Sequence, residues 1–574
     1  MRYTPNLFTV VFICVFCFTL SSCDENGSGK NETERVEKPE ALDQVIQRKL
    51  ESVLDDAIDN EGRVEDSIVL ISVKETEAFY SDRSYQHAWS SQSKWTTAAD
   101  SLMEFISNCR LYGLFPQDYH YREINIIANR FLADTLTQTD RLDAHLWVKA
   151  DLMLTDAFFT IARHLHKGRM LPDSVLRNAD SLLPADFYQR ALQRVVKGES
   201  ITSVFTEMEP EHQAYIDLKS GLKSFLDSAD FKHRYTYVGY PFKDSLKFVK
   251  SLVRRLREEG VLSWQLQVVD SAALSAAILK VQKQHKLTAD GKAGIQLATY
   301  LNNNDPEKFI RIAINLDRYK MIPHPMPERY IWVNLPGFYL KIIDEDTIAL
   351  ESRVVVGNPK TRTPLLTSRV SDMVTYPQWT IPTSIIVKEI LPALKRDPGY
   401  LARKGYMLLS WKEGGEPVDP YSVNWSKYQK GIPYKIVQGS GDDNALGVFK
   451  FNFPNAFSVY MHDTNQRYLF KNENRALSHG CVRVQDWEKM TWYISRLDSV
   501  RYENDTSINR RMPVPADSIK SWLARKEKHV IPVRSNLPVY FRYITAELKK
   551  GKLVFYSDIY GEDRVEREAY FSNK

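Results

Sequence analysis

Long apolar runs are nearly missing from this chain of 574 residues: one falls at residues 7–20, and no other stretch is apolar for long enough to cross a membrane. Charge of one sign is lacking as well. The 77 basic and 72 acidic residues leave a net charge of only +5, which argues against a nucleic-acid binder, since such a protein shows a basic patch or a higher pI. There is no His-Glu-x-x-His pair, no Cys-His set of the zinc kind and no glycine-rich phosphate loop following a strand, so neither a metal nor a nucleotide cofactor is implied. Internal repeats and low-complexity tracts are absent. Cysteine is scarce, with five residues in all. What remains is 43% apolar and 26% charged, the composition of a folded globular protein, and the length calls for two to four domains.

The single apolar run has the form of a targeting segment. Arg2 gives a weakly positive start, residues 7–20 are too short to span a bilayer, and Leu20-Ser21-Ser22-Cys23 ends the run. This ending resembles a bacterial lipobox. The resemblance implies a lipoprotein signal peptide over residues 1–22, cleavage before Cys23, lipidation of Cys23 and a polar tether over 23–40. An ordinary secretory signal with a chance cysteine is the other reading. Both take the protein out of the cytoplasm, and the lipobox places it in the cell envelope, anchored to a membrane and facing the periplasm.

Cys14 and Cys17 then leave with the signal, which isolates Cys109 and Cys481. Asn108-Cys109-Arg110 closes an apolar helical segment, where a cysteine packs as a small hydrophobe. Cys481 lies in Ser478-His479-Gly480-Cys481-Val482-Arg483-Val484, downstream of Val459-Tyr460-Met461-His462-Asp463-Thr464. A glycine-flanked cysteine with a histidine upstream is the pattern of a thiol nucleophile and its base. The thiol attacks as thiolate, so it needs a partner such as His462 to take its proton and a nearby cation to lower its pKa. If a strand begins at Cys481, Arg483 projects to the same face and supplies that charge. Gly480 leaves room for a carbonyl, and backbone N–H groups at the turn are candidate oxyanion donors.

The segment from His462 to Arg483 resembles the signature of the L,D-transpeptidases, the YkuD-like family. An upstream His and a Ser/Thr-His-Gly-Cys motif flank the active-site groove in that family. The resemblance implies Cys481 as nucleophile, His462 as base, and Tyr460, Ser478, His479, Gly480 and Arg483 around the substrate and oxyanion site. It implies peptidoglycan stem peptides as partners and carbapenem-type inhibitors.

Along the chain, residues 41–245 carry helical stripes: Leu42, Val45, Ile46, Leu50, Val53, Leu54 and Ile58, then Leu142, Leu146, Leu154, Phe158 and Ile161. Ser84 to Trp89, Gly113 to Tyr119 and Leu154 to Phe158 resemble the helical scaffold of the large gram-negative members. Residues 246–305 form a small helical unit, with Leu274, Ile278 and Val281 in one stripe and a turn at Asp290-Gly291. Val281 to His285 and Asp290 to Gly294 are similar to peptidoglycan-binding modules, although Leu297 stands where those often place Thr. Residues 306–565 read as a mainly β catalytic domain of short strands between Pro, Gly and Asp turns. An insertion at about 382–435 interrupts it. There Thr383 or Ser384 is expected to cap a helix containing Ile386, Ile390 and Leu394, and the whole reads as a lid. The stretch from Asn444 to Asn455, Tyr543 to Ala546, and Asp558 to Gly561 also match the family.

The expectation is thus a multidomain α+β protein with a helical scaffold domain, a small peptidoglycan-binding-like domain and a YkuD-like domain with a cap. Its function would be cross-linking of stem peptides through a thioester. A carboxypeptidase or endopeptidase using the same acyl-enzyme and a catalytically decayed wall-binding lipoprotein are the alternatives.

Overall fold

The computed structural model describes residues 35–574 apart from 135, 137, 138, 172–182, 324, 413, 414, 508 and 509. The expected leader peptide, Cys23 and most of the expected tether lie outside the described residues. No described helix is long and apolar enough to cross a membrane.

The stripes near the N-terminus fold as the periodicity implies except at two positions: Ile58, in the last turn of its helix, is exposed, and Leu142 lies in the turn before its helix begins. Helix Pro39–Asp59 buries Leu42, Val45, Ile46, Leu50 and Leu54 against helix Ala144–His166, which is buried along nearly its whole length. Side-chain caps start two of the helices in this part: Thr96 accepts from the Ala99 N–H at 3.2 Å at the head of helix Thr97–Asn108, and Asp143 from the His145 N–H at 3.0 Å at the head of Ala144–His166. Buried Asp151 accepts from the Tyr80 hydroxyl at 2.5 Å and from the Trp89 N–H at 2.8 Å, so the carboxylate is satisfied without a cation in contact. One core runs from Leu42 to Met208. Helix Gln213–Leu226 belongs elsewhere, because its Tyr215, Leu218 and Leu222 pack with helix Asp305–Lys320 and with Trp332, Tyr339 and Tyr540 of the large sheet.

Helices Ser245–Glu258, Ser271–Gln284 and Ile295–Leu301 enclose a separate small core that includes Leu252, Ile278, Val281, Leu297 and Leu301. The turn between the last two is held by Gln282, whose Oε1 accepts from the backbone of Asp290 and Gly291 at 3.1 and 2.8 Å.

Helix Asp305–Lys320 ties the parts together. Asn315 exchanges hydrogen bonds with Thr545, while Asp317 accepts from the Arg169 N–H at 2.8 Å and Lys320 donates to the His164 carbonyl at 2.9 Å. Arg318 is sandwiched between Asp563 and Glu566 of the last helix at 2.7 and 2.5 Å. Scaffold, linker helix and C-terminal segment therefore share buried polar contacts as well as apolar ones.

Among the described residues the main sheet has eleven strands. Its order is His529–Pro532, Asp372–Thr375, Phe449–Asn452, Met461–His462, Val482–Val484, Thr347–Gly357, Tyr339–Asp344, Arg329–Asn334, Pro538–Arg542, Leu366–Arg369, with Ala476–Ser478 also paired to Thr347–Gly357. The edge strand Leu366–Arg369 runs after two residues into Asp372–Thr375 at the opposite side, so the sheet must curl until its ends approach. Helix Trp487–Asn504 presents Trp487, Met490 and Ile494 to the core inside this curl.

The insertion has a core of its own around Ile386, Ile390, Leu394, Leu408, Trp425 and Ile436, and a small sheet in the order Trp379–Thr380, Tyr434–Gln438, Tyr406–Ser410. Its helical run starts at Thr383, but the N-cap is Pro382 and neither Thr383 nor Ser384 caps it with a side chain. The run then widens into a π turn over Ile386–Ile390. Pro392, two residues on, has no N–H for the Lys388 carbonyl, and a wide turn is one way a helix passes such a gap. Among the aromatics, Trp425 is buried and Tyr428 packs on it, whereas Trp411 and Tyr421 are exposed.

Candidate functional site

Three short strands in the middle of the sheet set the site. Lys450 is the register partner of His462, and His462 is the register partner of Arg483. Alternation sends Phe449, Phe451, Met461, Val482 and Val484 into the core, so Lys450, Tyr460, His462, Cys481 and Arg483 share the other face.

Cys481 sits on a turn between Ala476–Ser478 and Val482–Val484 that is built by internal hydrogen bonds. Ser478 Oγ donates to the Cys481 carbonyl at 2.6 Å and accepts from the Gly480 N–H at 3.2 Å. Gly480 has φ +120°, where a side chain is strained. Its carbonyl accepts from Thr363 Oγ1 at 2.7 Å, and the same hydroxyl accepts from the Gly357 N–H at 2.8 Å. Tyr560, from the C-terminal segment, donates to the Gly357 carbonyl at 2.7 Å and so supports the turn from beneath. Ser478 is buried and committed to this turn, and the Gly480 N–H points to Ser478 rather than to a ligand.

The thiol is half-buried and free, as is buried Cys109. Burial pushes the Cys481 thiol up, opposed by hydrogen bonds from the Tyr460 backbone and hydroxyl and, more weakly, by Lys450 and Arg483. The cation expected to depress the thiol is therefore present, but desolvation outweighs it. Tyr460 is pushed up in turn by burial and by Cys481, and its oxygen receives the Trp379 indole N–H. The phenol thus donates to sulfur while Trp379, at the base of the cap, holds it in place.

His462 is 4% exposed. Its Nδ1 meets the Asp463 carbonyl, so this nitrogen carries the proton and the lone pair of the neutral ring lies on Nε2. Burial first, then Arg483, push its pKa down to about 3, with Lys450 adding to the effect and the Asp463 and Leu446 carbonyls opposing it. The Asp463 carboxylate faces away, accepting from the Val448 N–H at 3.1 Å and from Arg467 at 3.0 Å. Gly447 makes this possible: a Cβ there would lie 2.3 Å from Asp463 Oδ2.

Arg483 donates to Gln466 Oε1 at 2.8 Å and to Thr464 Oγ1 at 3.3 Å, and its buried Nε has no hydrogen-bond partner among the described residues. His479 turns away from this face toward the cap, with Nε2 2.5 Å from Glu389 Oε1. Cys481, Tyr460, His462 and Arg483 are thus brought together, whereas His479 links the turn to the insertion and Ser478 shapes the turn. Lys450, Glu389 and Trp379 do not stand out in the sequence. Only Lys450 leaves a signal there, as a cation alternating with Phe449 and Phe451. Among the described residues no group of three or more His, Cys, Asp or Glu is placed to hold a metal.

Residues 328–515 match the family model of the L,D-transpeptidase catalytic domain, YkuD, and residues 74–222 match that of a scaffold domain. The sheet that carries the thiol is thus similar to the YkuD catalytic domain, and the N-terminal helices are similar to the scaffold domain. Over 254 residues it is 36% identical to a Haemophilus influenzae protein provisionally named an L,D-transpeptidase, a match covering 44% of this chain and 48% of the relative. The chain therefore spans about half the length of that curated relative. Among solved structures, an L,D-transpeptidase from Mycobacterium smegmatis is 10% identical with a TM-score of 0.17, covering 38% of this chain and 58% of that one. One from Enterococcus faecium is 14% identical with a TM-score of 0.14, covering 38% and 50%.

Proposed function

We propose that this protein is a cysteine-dependent L,D-transpeptidase that cross-links peptidoglycan stem peptides. The observation that carries the reading is a half-buried thiol, hydrogen-bonded by Tyr460, on the same sheet face as a histidine held neutral with its Nε2 lone pair available. A neutral base can accept the thiol proton only in that state.

In the proposed sequence, His462 takes the proton as Cys481 sulfur attacks the carbonyl of the third, diamino-acid residue of a stem. The Tyr460 hydroxyl is the donor best placed to meet the developing oxyanion. The imidazolium returns its proton to the departing D-Ala amine, leaving a thioester. The side-chain amine of a second stem then attacks the thioester carbonyl and loses a proton to His462, the new amide forms and sulfur leaves as the thiol. Exposed Trp411 and Tyr421 of the cap suit contact with an extended peptide. Lipidation at Cys23 would hold the enzyme on a membrane facing the wall.

Purified stem peptides incubated with the protein should yield dimers. Trimmed monomers alone would move the assignment to a carboxypeptidase, and no product at all would favour the decayed form. A carbapenem should add one equivalent at Cys481 and none at Cys109. Cys481→Ser should lose adduct and dimers, while Cys109→Ser keeps both. Full cross-linking by Cys481→Ser would remove the basis of the proposal. For the anchor, Cys23→Ala should release the protein from membranes, and native protein without lipid at Cys23 would exclude it.

A further inference from the structure

We infer that Lys450 is a positioning residue for the Cys481 thiol, its ammonium resting on the Tyr460 ring and supplying the uncommitted positive charge that steadies sulfur as it becomes negative. The inference rests on the nucleophile assigned above to Cys481.

Lys450 Nζ lies 4.0 Å from the centroid of the Tyr460 ring. A cation on the face of a phenol draws on its π electrons and makes the O–H a better donor, and this O–H is the one that hydrogen-bonds the thiol. The strand register fixes the contact, since Lys450 neighbours His462 across the sheet and Tyr460 lies two residues before His462 on the same face.

The other charged groups near the thiol have partners. Arg483 is engaged by Gln466 and Thr464, Arg467 by Asp463, and His479 by Glu389. His462 is held neutral. The charged groups that face Lys450 are Cys481, Asp372 and Lys528. Asp372 accepts instead from Asn452 Nδ2 at 2.6 Å and from Ser371 Oγ at 2.7 Å. Among the described residues no carboxylate stands within ion-pair distance of Lys450. A partly buried ammonium with no counter-ion is costly, and burial lowers its pKa while the charge on Cys481 is the first effect to raise it. The missing counter-ion is the thiolate. A packing role for the aliphatic stem needs no charge at its end, and that difference is testable.

The experiment measures alkylation of Cys481 by iodoacetamide in the full chain from about pH 6 to about pH 10, read by peptide mapping. Buried Cys109 serves as internal control. Lys450→Met keeps the stem and removes the charge. Its alkylation should fall roughly three- to tenfold near neutral pH and converge on the parent at high pH, because a tenfold loss of thiolate corresponds to one pKa unit. Lys450→Arg should restore most of the rate, and in a Tyr460→Phe background the effect of Lys450→Met should shrink. A Lys450→Met profile that superimposes on the parent overturns the inference. So does a uniform drop at every pH, the mark of lost packing. Adduct mapping that finds no reactive Cys481 in the parent would instead defeat the nucleophile assignment, so the two failures are distinguishable.

Discussion

Acidification should reveal His462 as a group that refuses its proton. The ring is buried between Lys450 and Arg483 and held down to about 3, whereas the same side chain in an unfolded chain titrates near 6.5. Between these two values the unfolded chain binds a proton that the folded chain does not, so stability rises with pH across the window and is lost as pH falls below about 6.5. Each pH unit inside it is worth about 1.4 kcal/mol, hence roughly 2 kcal/mol between about pH 6.5 and about pH 5. Protein labelled with ¹³C-histidine gives the direct assay, the His462 ring signal being identified by its loss in His462→Gln. That signal should stay at its neutral position down to about pH 5. Urea unfolding of parent and variant gives the second: the parent's advantage should shrink by about 2 kcal/mol over the same interval, because only the parent carries the linked proton. A ring inflection near 6.5, or an advantage independent of pH, would refute the electrostatic account. Turnover adds a corollary. If His462 is the base, the acid limb of kcat/KM should fall well below 6.5.

Glu389→Gln removes the charge that the cap presents to His479; both side chains are about half-exposed, so overall stability should change by less than about 1 kcal/mol. Hydrogen exchange should nonetheless accelerate in residues 383–394, and unchanged exchange there would mean that the pair does not hold the cap. Gly447→Ala forces a Cβ to within 2.3 Å of Asp463 Oδ2 at φ +64°, and should cost about 1–3 kcal/mol in thermal unfolding; a neutral result would show that the loop yields freely. Arg318→Met leaves Glu566 without its cation while Asp563 keeps Arg311 at 2.9 Å, and should cost about 3 kcal/mol and expose the last helix to proteolysis.

The parts of the molecule that follow from periodicity are legible in the amino-acid sequence. Leu42 to Leu54 face one way at helical steps, and Cys481 and Arg483 share a face because Val482 between them is buried. What periodicity cannot supply is register. Lys450 precedes His462 by twelve residues, and nothing in that spacing says that the two strands pair with these residues opposite each other. Glu389 and His479 are 90 residues apart and meet only because the insertion folds back over the turn. The sign of the thiol's shift is hidden for a different reason. Sequence displays charges but not desolvation, and at Cys481 desolvation is the larger effect.

The row Lys450, His462, Arg483 shows why such residues resist prediction from local rules. Like charges directly opposite one another destabilise a sheet, and here two cations flank a third group able to become one. The fold limits the cost by keeping the imidazole neutral, by engaging Arg483 with neutral oxygens and by resting Lys450 on an aromatic face. None of these arrangements supplies the negative charge that the row lacks. A sequence usually agrees with its structure at every level except where function demands otherwise, and an anion formed at sulfur is what would make this row consistent. The exception is therefore informative: three positively inclined residues on adjacent strands, sharing a face with one half-buried thiol, describe a site that is electrostatically incomplete until that thiol gives up its proton.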